Sequence, residues 1–138
     1  MKTKLLIFFS IALISALTFT GCKKYPDGPT ISLSSKKGRV ANTWKFEKVF
    51  NVNTGADYTS NYVGEYVEFK KDGGYVWTDG SSSDVGTWSF ASDKEDFIMT
   101  ENGSSSADTY HIRRLKGKEF WIRRDYSSSS TEYHLSPR

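Results

Sequence analysis

The sequence predicts an all-β chain: an eight-stranded antiparallel up-and-down barrel that follows a short N-terminal helix and a tether. Three observations predict it. Aromatic residues make up 15% of the chain, and beyond the first 21 residues the leucines are only Leu33, Leu115 and Leu135, a composition that favours strands over helices. From Trp44 onward, apolar residues recur at every second position in short runs, the period of a half-buried strand. Clusters of Gly, Asp and Ser separate those runs and read as turns.

A length of 138 residues bounds the chain to one domain. One cysteine excludes a disulfide framework. The formal charge is +3, of which Lys2 and Lys4 supply two at the extreme N-terminus, so the remainder is nearly neutral and lacks the basic excess of a nucleic-acid binder.

Met1 to Lys4 is basic, Leu5 to Leu17 is an almost unbroken apolar run, and Thr18 to Gly21 is small and polar apart from Phe19. This is the three-part layout of a secretory signal, and the apolar run is shorter than the roughly 20 residues of a membrane-spanning helix. The segment Phe19-Thr20-Gly21-Cys22 resembles the lipobox of bacterial lipoproteins, with Phe19 where an aliphatic residue is usual. The resemblance implies a signal peptide over 1–21, lipid modification of Cys22, and a membrane partner engaged through that lipid. A lone cysteine placed directly after an apolar core has no disulfide partner in an oxidising compartment, which fits acylation. Lys23 follows it, so the aspartate that retains many lipoproteins in the inner membrane is absent and the implied address is the cell envelope at the outer membrane.

Residues 22–42 read as a lipid-anchored tether that ends in a short helix, and 43–138 as the barrel. The tether carries Pro26, Asp27-Gly28-Pro29 and several serines. Lys36 to Asn42 allows one or two helical turns, weakened by Gly38. Lys23-Lys24-Tyr25-Pro26-Asp27-Gly28-Pro29, then Ser32-Leu33-Ser34-Ser35-Lys36-Lys37 and Trp44, resemble the opening of the small lipocalin-like lipoproteins of Bacteroidota. Asn42-Thr43-Trp44 stands where the lipocalin superfamily has Gly-x-Trp at the start of its first strand. The resemblance implies a barrel and an envelope address more than a chemistry.

In the first strand, Trp44, Phe46, Phe50 and Val52 share one face, interrupted by Lys48. Val67 and Phe69 form a second run, and the Asp72-Gly73 turn leads into Tyr75 and Trp77. Val85 to Phe90, Phe97 to Thr100, Thr109 to Leu115, Phe120 to Tyr126 and Thr131 to Leu135 complete eight. Eight short runs joined in sequence suggest a closed meander, since closure removes unpaired edges. Hairpins then alternate between two ends. One end gathers Asn53 to Gly64, Gly80 to Asp84, Glu101 to Asp108 and Ser127 to Ser130; the other gathers the charged turns and the tether, which is the end expected to face the membrane. The serine runs read first as soluble hairpin tips.

No nucleophile elbow, phosphate-binding glycine loop, cysteine pair or His-x-x-x-His is present, and no catalytic residue, metal ligand or cofactor is expected. His111 and His134 lie in separate strands without further ligands at metal spacing, and Asp79 to Asp84 match no recognised calcium loop. The candidate core or ligand-binding residues are Trp44, Phe46, Phe69, Tyr75, Trp77, Trp88, Phe90, Tyr110, Phe120 and Tyr133. Loose alternation lets Arg114 or Arg124 point inward, either to anchor an anionic head group or to stack on a tryptophan such as Trp44, the role familiar from lipocalins. An eight-stranded barrel is just wide enough to be filled or to hold one small ligand. The expected function is therefore a non-enzymatic, outer-membrane-anchored lipoprotein binding a small apolar or amphipathic ligand. The alternative is a structural or interaction lipoprotein with a filled core, contacting a protein or glycan through its serine-rich loops. Neither the oligomeric state nor the ligand's identity follows from the sequence.

Overall fold

The computed structural model describes residues 35–138. The expected signal (1–21), Cys22 and the tether up to Ser34 lie outside the described residues. A short helix α1 (Lys36–Val40) precedes β1 (Thr43–Asn51), β2 (Tyr66–Phe69), β3 (Gly74–Thr78) and β4 (Ser83–Phe90). They are followed by β5 (Asp96–Glu101), β6 (Asp108–Lys116), β7 (Glu119–Asp125) and β8 (Ser130–Pro137). The strands pair antiparallel in sequence order and β8 returns to β1, closing the barrel. The eight-stranded fold expected from the sequence is the fold observed.

Of the one or two helical turns that Lys36 to Asn42 allowed, helix α1 takes the shorter course and ends at Val40. Ser35 caps it by accepting a hydrogen bond from the Gly38 amide at 3.0 Å. It plugs one end of the barrel. Val40 is fully buried, its carbonyl accepts a 2.8 Å hydrogen bond from Trp44 Nε1, and Arg39 Nη1 donates to the Leu115 carbonyl at 3.1 Å. The indole donor would otherwise be buried without a partner, a cost that this bond removes.

Above the plug the interior is dense. Trp44, Phe97, Phe120, Leu115 and Leu135 are all buried, and Phe69 meets Phe97 edge-on at 5.1 Å and Trp88 at 5.9 Å. Edge-to-face arrangements of this kind suit the charge distribution of aromatic rings.

Two strands depart from simple alternation. In β1 the register slips between Phe46 and Lys48, so Val49 and Asn51 turn inward while Phe50 points out and Val52 is exposed. The expected shared face of Trp44, Phe46, Phe50 and Val52 therefore ends at Phe46. In β6 the slip falls between Ile112 and Arg114, which turns Leu115 inward and leaves Arg114 on the outer wall. One extra residue reverses the phase of everything after it, and nothing in the local composition marks where it falls.

Candidate functional site

The packed base does not extend to the other end. There the chain leaves a cavity of about 460 Å³, walled by Tyr62, Tyr75, Trp77, Met99, Tyr110 and Tyr133 and rimmed by Asp84, Glu101, Asp108, Arg124 and Tyr126. Ser104 and Ser106 of the β5–β6 loop also border it, so this is the mouth at which the connections after β1, β3, β5 and β7 gather.

Strand pairing explains the lining. Tyr75 of β3, Gly86 of β4 and Glu101 of β5 lie in register across three strands. Trp77 pairs with Asp84, and Met99 with Asp108. Each acid is therefore one inward step beyond a buried or glycine position on its own strand. Trp77 is fixed by a 2.9 Å hydrogen bond from its Nε1 to Glu65 and by its contact with Phe46 at 5.0 Å. Phe46 touches Tyr62 at 4.9 Å, and Tyr62 meets Tyr133 edge-on at 5.9 Å, so the long β1–β2 connection supplies one wall of the cup.

The rim is charged and ordered. Arg124 grips Asp108 with both terminal nitrogens, Nη1 reaching Oδ2 at 2.8 Å and Nη2 reaching Oδ1, and it lies over the rings of Tyr126 at 4.9 Å and Tyr110 at 5.8 Å. Burial pushes the Tyr110 phenol up to about 12, with the neighbouring Asp108 carboxylate adding to it. Burial raises Tyr133 as well, and so does Tyr62 beside it. Next to the cup, the Asp79 carboxylate accepts the amides of Ser81 and Ser82 and falls to about 2 in consequence. These bonds close the β3–β4 turn, a local role for that serine run.

The remaining sequence candidates divide between base and mouth. Trp44, Phe69, Trp88, Phe120 and the half-buried Phe90 belong to the packed base. Tyr75, Trp77, Tyr110 and Tyr133 line the cup, with Phe46 supporting it. Arg124 faces the cup, whereas Arg114 stacks outside at 4.6 Å from Trp121, itself stacked at 3.9 Å on His134. Neither arginine reaches Trp44. His111 sits on the outer wall between Asp96 at 2.6 Å and Asp125 at 3.2 Å. Among the described residues no group of three or more His, Cys, Asp or Glu is placed to hold a metal, and no helix is long and apolar enough to cross a membrane.

Sequence reasoning missed Tyr62, Met99, Tyr126 and the rim acids as cup residues. The acids were within reach of it: carrying the alternation one step past Gly86, Met99 and Tyr110 lands on Asp84, Glu101 and Asp108.

No protein-family model and no curated protein matches the chain. Among solved structures it is similar to a lipocalin-like protein from Bacteroides uniformis, with a TM-score of 0.55 and 14% identity over 73% of this chain and all of that one. That likeness shows a lipocalin-like fold. A duf4847 family protein from Bacteroides vulgatus aligns with a TM-score of 0.49 and 10% identity, covering 72% of this chain and 94% of that one.

Proposed function

We propose that this chain is a lipid-anchored, non-enzymatic envelope protein, most at home on the outer membrane, whose barrel mouth binds one small amphipathic molecule. The observation that carries the proposal is the cup of about 460 Å³ above a closed, packed base, a volume within the range of small-molecule sites. Its aromatic walls desolvate an apolar body, and the polar rim orients the other end. The interior of the base is filled by Trp44, Phe69, Phe97 and Phe120, so the ligand sits at the mouth and is small.

The anchor half of the proposal rests on Cys22 behind its apolar run. Acyl chains contribute about 0.8 kcal/mol per buried methylene, so more than one chain holds a protein firmly. Helix α1 and the turns at the base end carry Lys36, Lys37, Arg39, Lys71, Lys116 and Lys118, a charge that favours approach to anionic head groups. The mouth then faces away from the bilayer.

Trp77 stands in the cup and reports on it. Titrating full-length protein with small aromatic and short-chain amphiphiles is expected to quench tryptophan emission saturably at one equivalent, and Trp77→Phe is expected to remove that response. Flat titrations across the panel would favour the alternative of a partner contact through the serine-rich loops. For the anchor, Cys22→Ala is expected to release the protein from the membrane fraction; a variant that stayed there after export would contradict lipidation.

A further inference from the structure

The two ends of the barrel differ in charge. The mouth connections 52–65, 79–84, 101–108 and 125–130 contain seven acids and no lysine or arginine. The cation that does face the cup, Arg124, is held by both oxygens of Asp108. Asp84 and Glu101 face the same space, and no cation is paired to either among the described residues.

A second feature points into the cup independently. Tyr75 is only 6% exposed and lines the cavity, yet its hydroxyl has no hydrogen-bond partner among the described residues. The missing side chain of Gly86, its in-register neighbour, leaves room for the ring between Tyr75 and Glu101. Burial raises the Tyr75 phenol above its ordinary value, and the carboxylates of Glu101, Asp84 and Asp108 raise it further. The ring is nearly buried, and its hydroxyl, among negative groups at the cup, has an oxygen to offer to a donor.

Aromatic faces are negative and attract cations. An anionic head group would meet Asp84 and Glu101, and the charge of Arg124, the cation that faces the cup, is already offset by Asp108. A bare divalent ion would want six or more oxygens, and no three-ligand group is available among the described residues. We infer, resting on the reading of the mouth as a ligand cup, that the molecule bound there is a small organic cation. It carries an ammonium group on a ring or short apolar chain, with the ammonium between Asp84, Glu101 and the Tyr75 hydroxyl and the apolar part against Trp77, Tyr62 and Tyr133.

Three probes of one shape and different charge test this on full-length protein by calorimetry: phenethylamine, 2-phenylethanol and 3-phenylpropionate. The amine is expected to bind at least about tenfold tighter than the alcohol, ~1.4 kcal/mol, and the carboxylate weakest. Asp84→Asn and Glu101→Gln, both exposed positions with folding checked by circular dichroism, are each expected to weaken the amine severalfold and leave the alcohol unchanged. Equal binding of amine and alcohol overturns the cation preference while keeping the cup. So does a preference that survives the double variant, or calcium chloride alone binding and displacing the amine. If none of the three probes binds, the cup reading falls together with the inference.

Discussion

The ring of Tyr75 occupies the space a side chain on Gly86 would fill: a Cβ there would lie 2.6 Å from Tyr75 Cε1 and 2.2 Å from the Thr100 carbonyl oxygen. Real carbon atoms do not approach so closely, and one of the two obstacles is backbone. Gly86→Ala must therefore displace β5 as well as the ring. The expected result is a loss of about 1 to 3 kcal/mol in stability, the cost typical of overpacking, read from urea unfolding, together with loss of probe binding at the mouth.

Trp44 ties the first strand to the helix that closes the base. Trp44→Phe removes the donor to the Val40 carbonyl and part of a fully buried ring. A destabilisation of about 1 to 3 kcal/mol is expected from the unpaired carbonyl and the void. Amide exchange in α1 should quicken more than exchange in β5 to β7. Ligand binding at the far end should persist, because the plug's side chains meet Phe90, Trp88 and the Leu115 carbonyl at the base.

Tyr110 gives the fold a limit at high pH. Its folded value of about 12 lies above the ordinary phenol value of 10.0, so the folded state holds the proton more tightly than the unfolded one. The stabilisation is complete below pH 10.0 and is lost as pH rises towards about 12. Tyr133 is raised in the same direction and acts with the same sign. Phenolate absorbance should therefore show these two tyrosines titrating last and together with unfolding; Tyr110→Phe should extend stability into that alkaline window.

On the outer wall, Arg114 and His134 cover Trp121. A double-mutant cycle of Arg114→Ala and Trp121→Ala is expected to show a coupling of about 0.5 to 1 kcal/mol, as for an exposed cation over an indole. Additive losses would mean that the stack contributes nothing beyond burial.

The legible part of the fold was that written in period two. Val67 and Phe69, Tyr75 and Trp77, and Phe120, Ile122 and Arg124 take the sides their alternation assigns. Phe50 and Arg114 do not, because each follows a bulge, and a bulge is fixed by how the sheet must bend to close rather than by nearby residues. The candidate site was half legible for a related reason. Aromatics announced an interior, but whether they fill it depends on rotamers and on Tyr62, carried in by a long connection that has no periodicity to read. The rim acids looked like loop residues because they stand at strand ends, where polar side chains are expected in any case.

The barrel mouth lined by Tyr62, Tyr75, Trp77, Tyr110 and Tyr133 is a ligand cup in this reading. Amide chemical-shift mapping of full-length protein with phenethylamine tests it most directly. Saturable shifts are expected at Tyr75, Trp77, Asp84, Gly86, Glu101 and Asp108, with the base around Trp44 and Leu115 silent. Shifts confined to the base or the outer wall, or none that saturate, would contradict it.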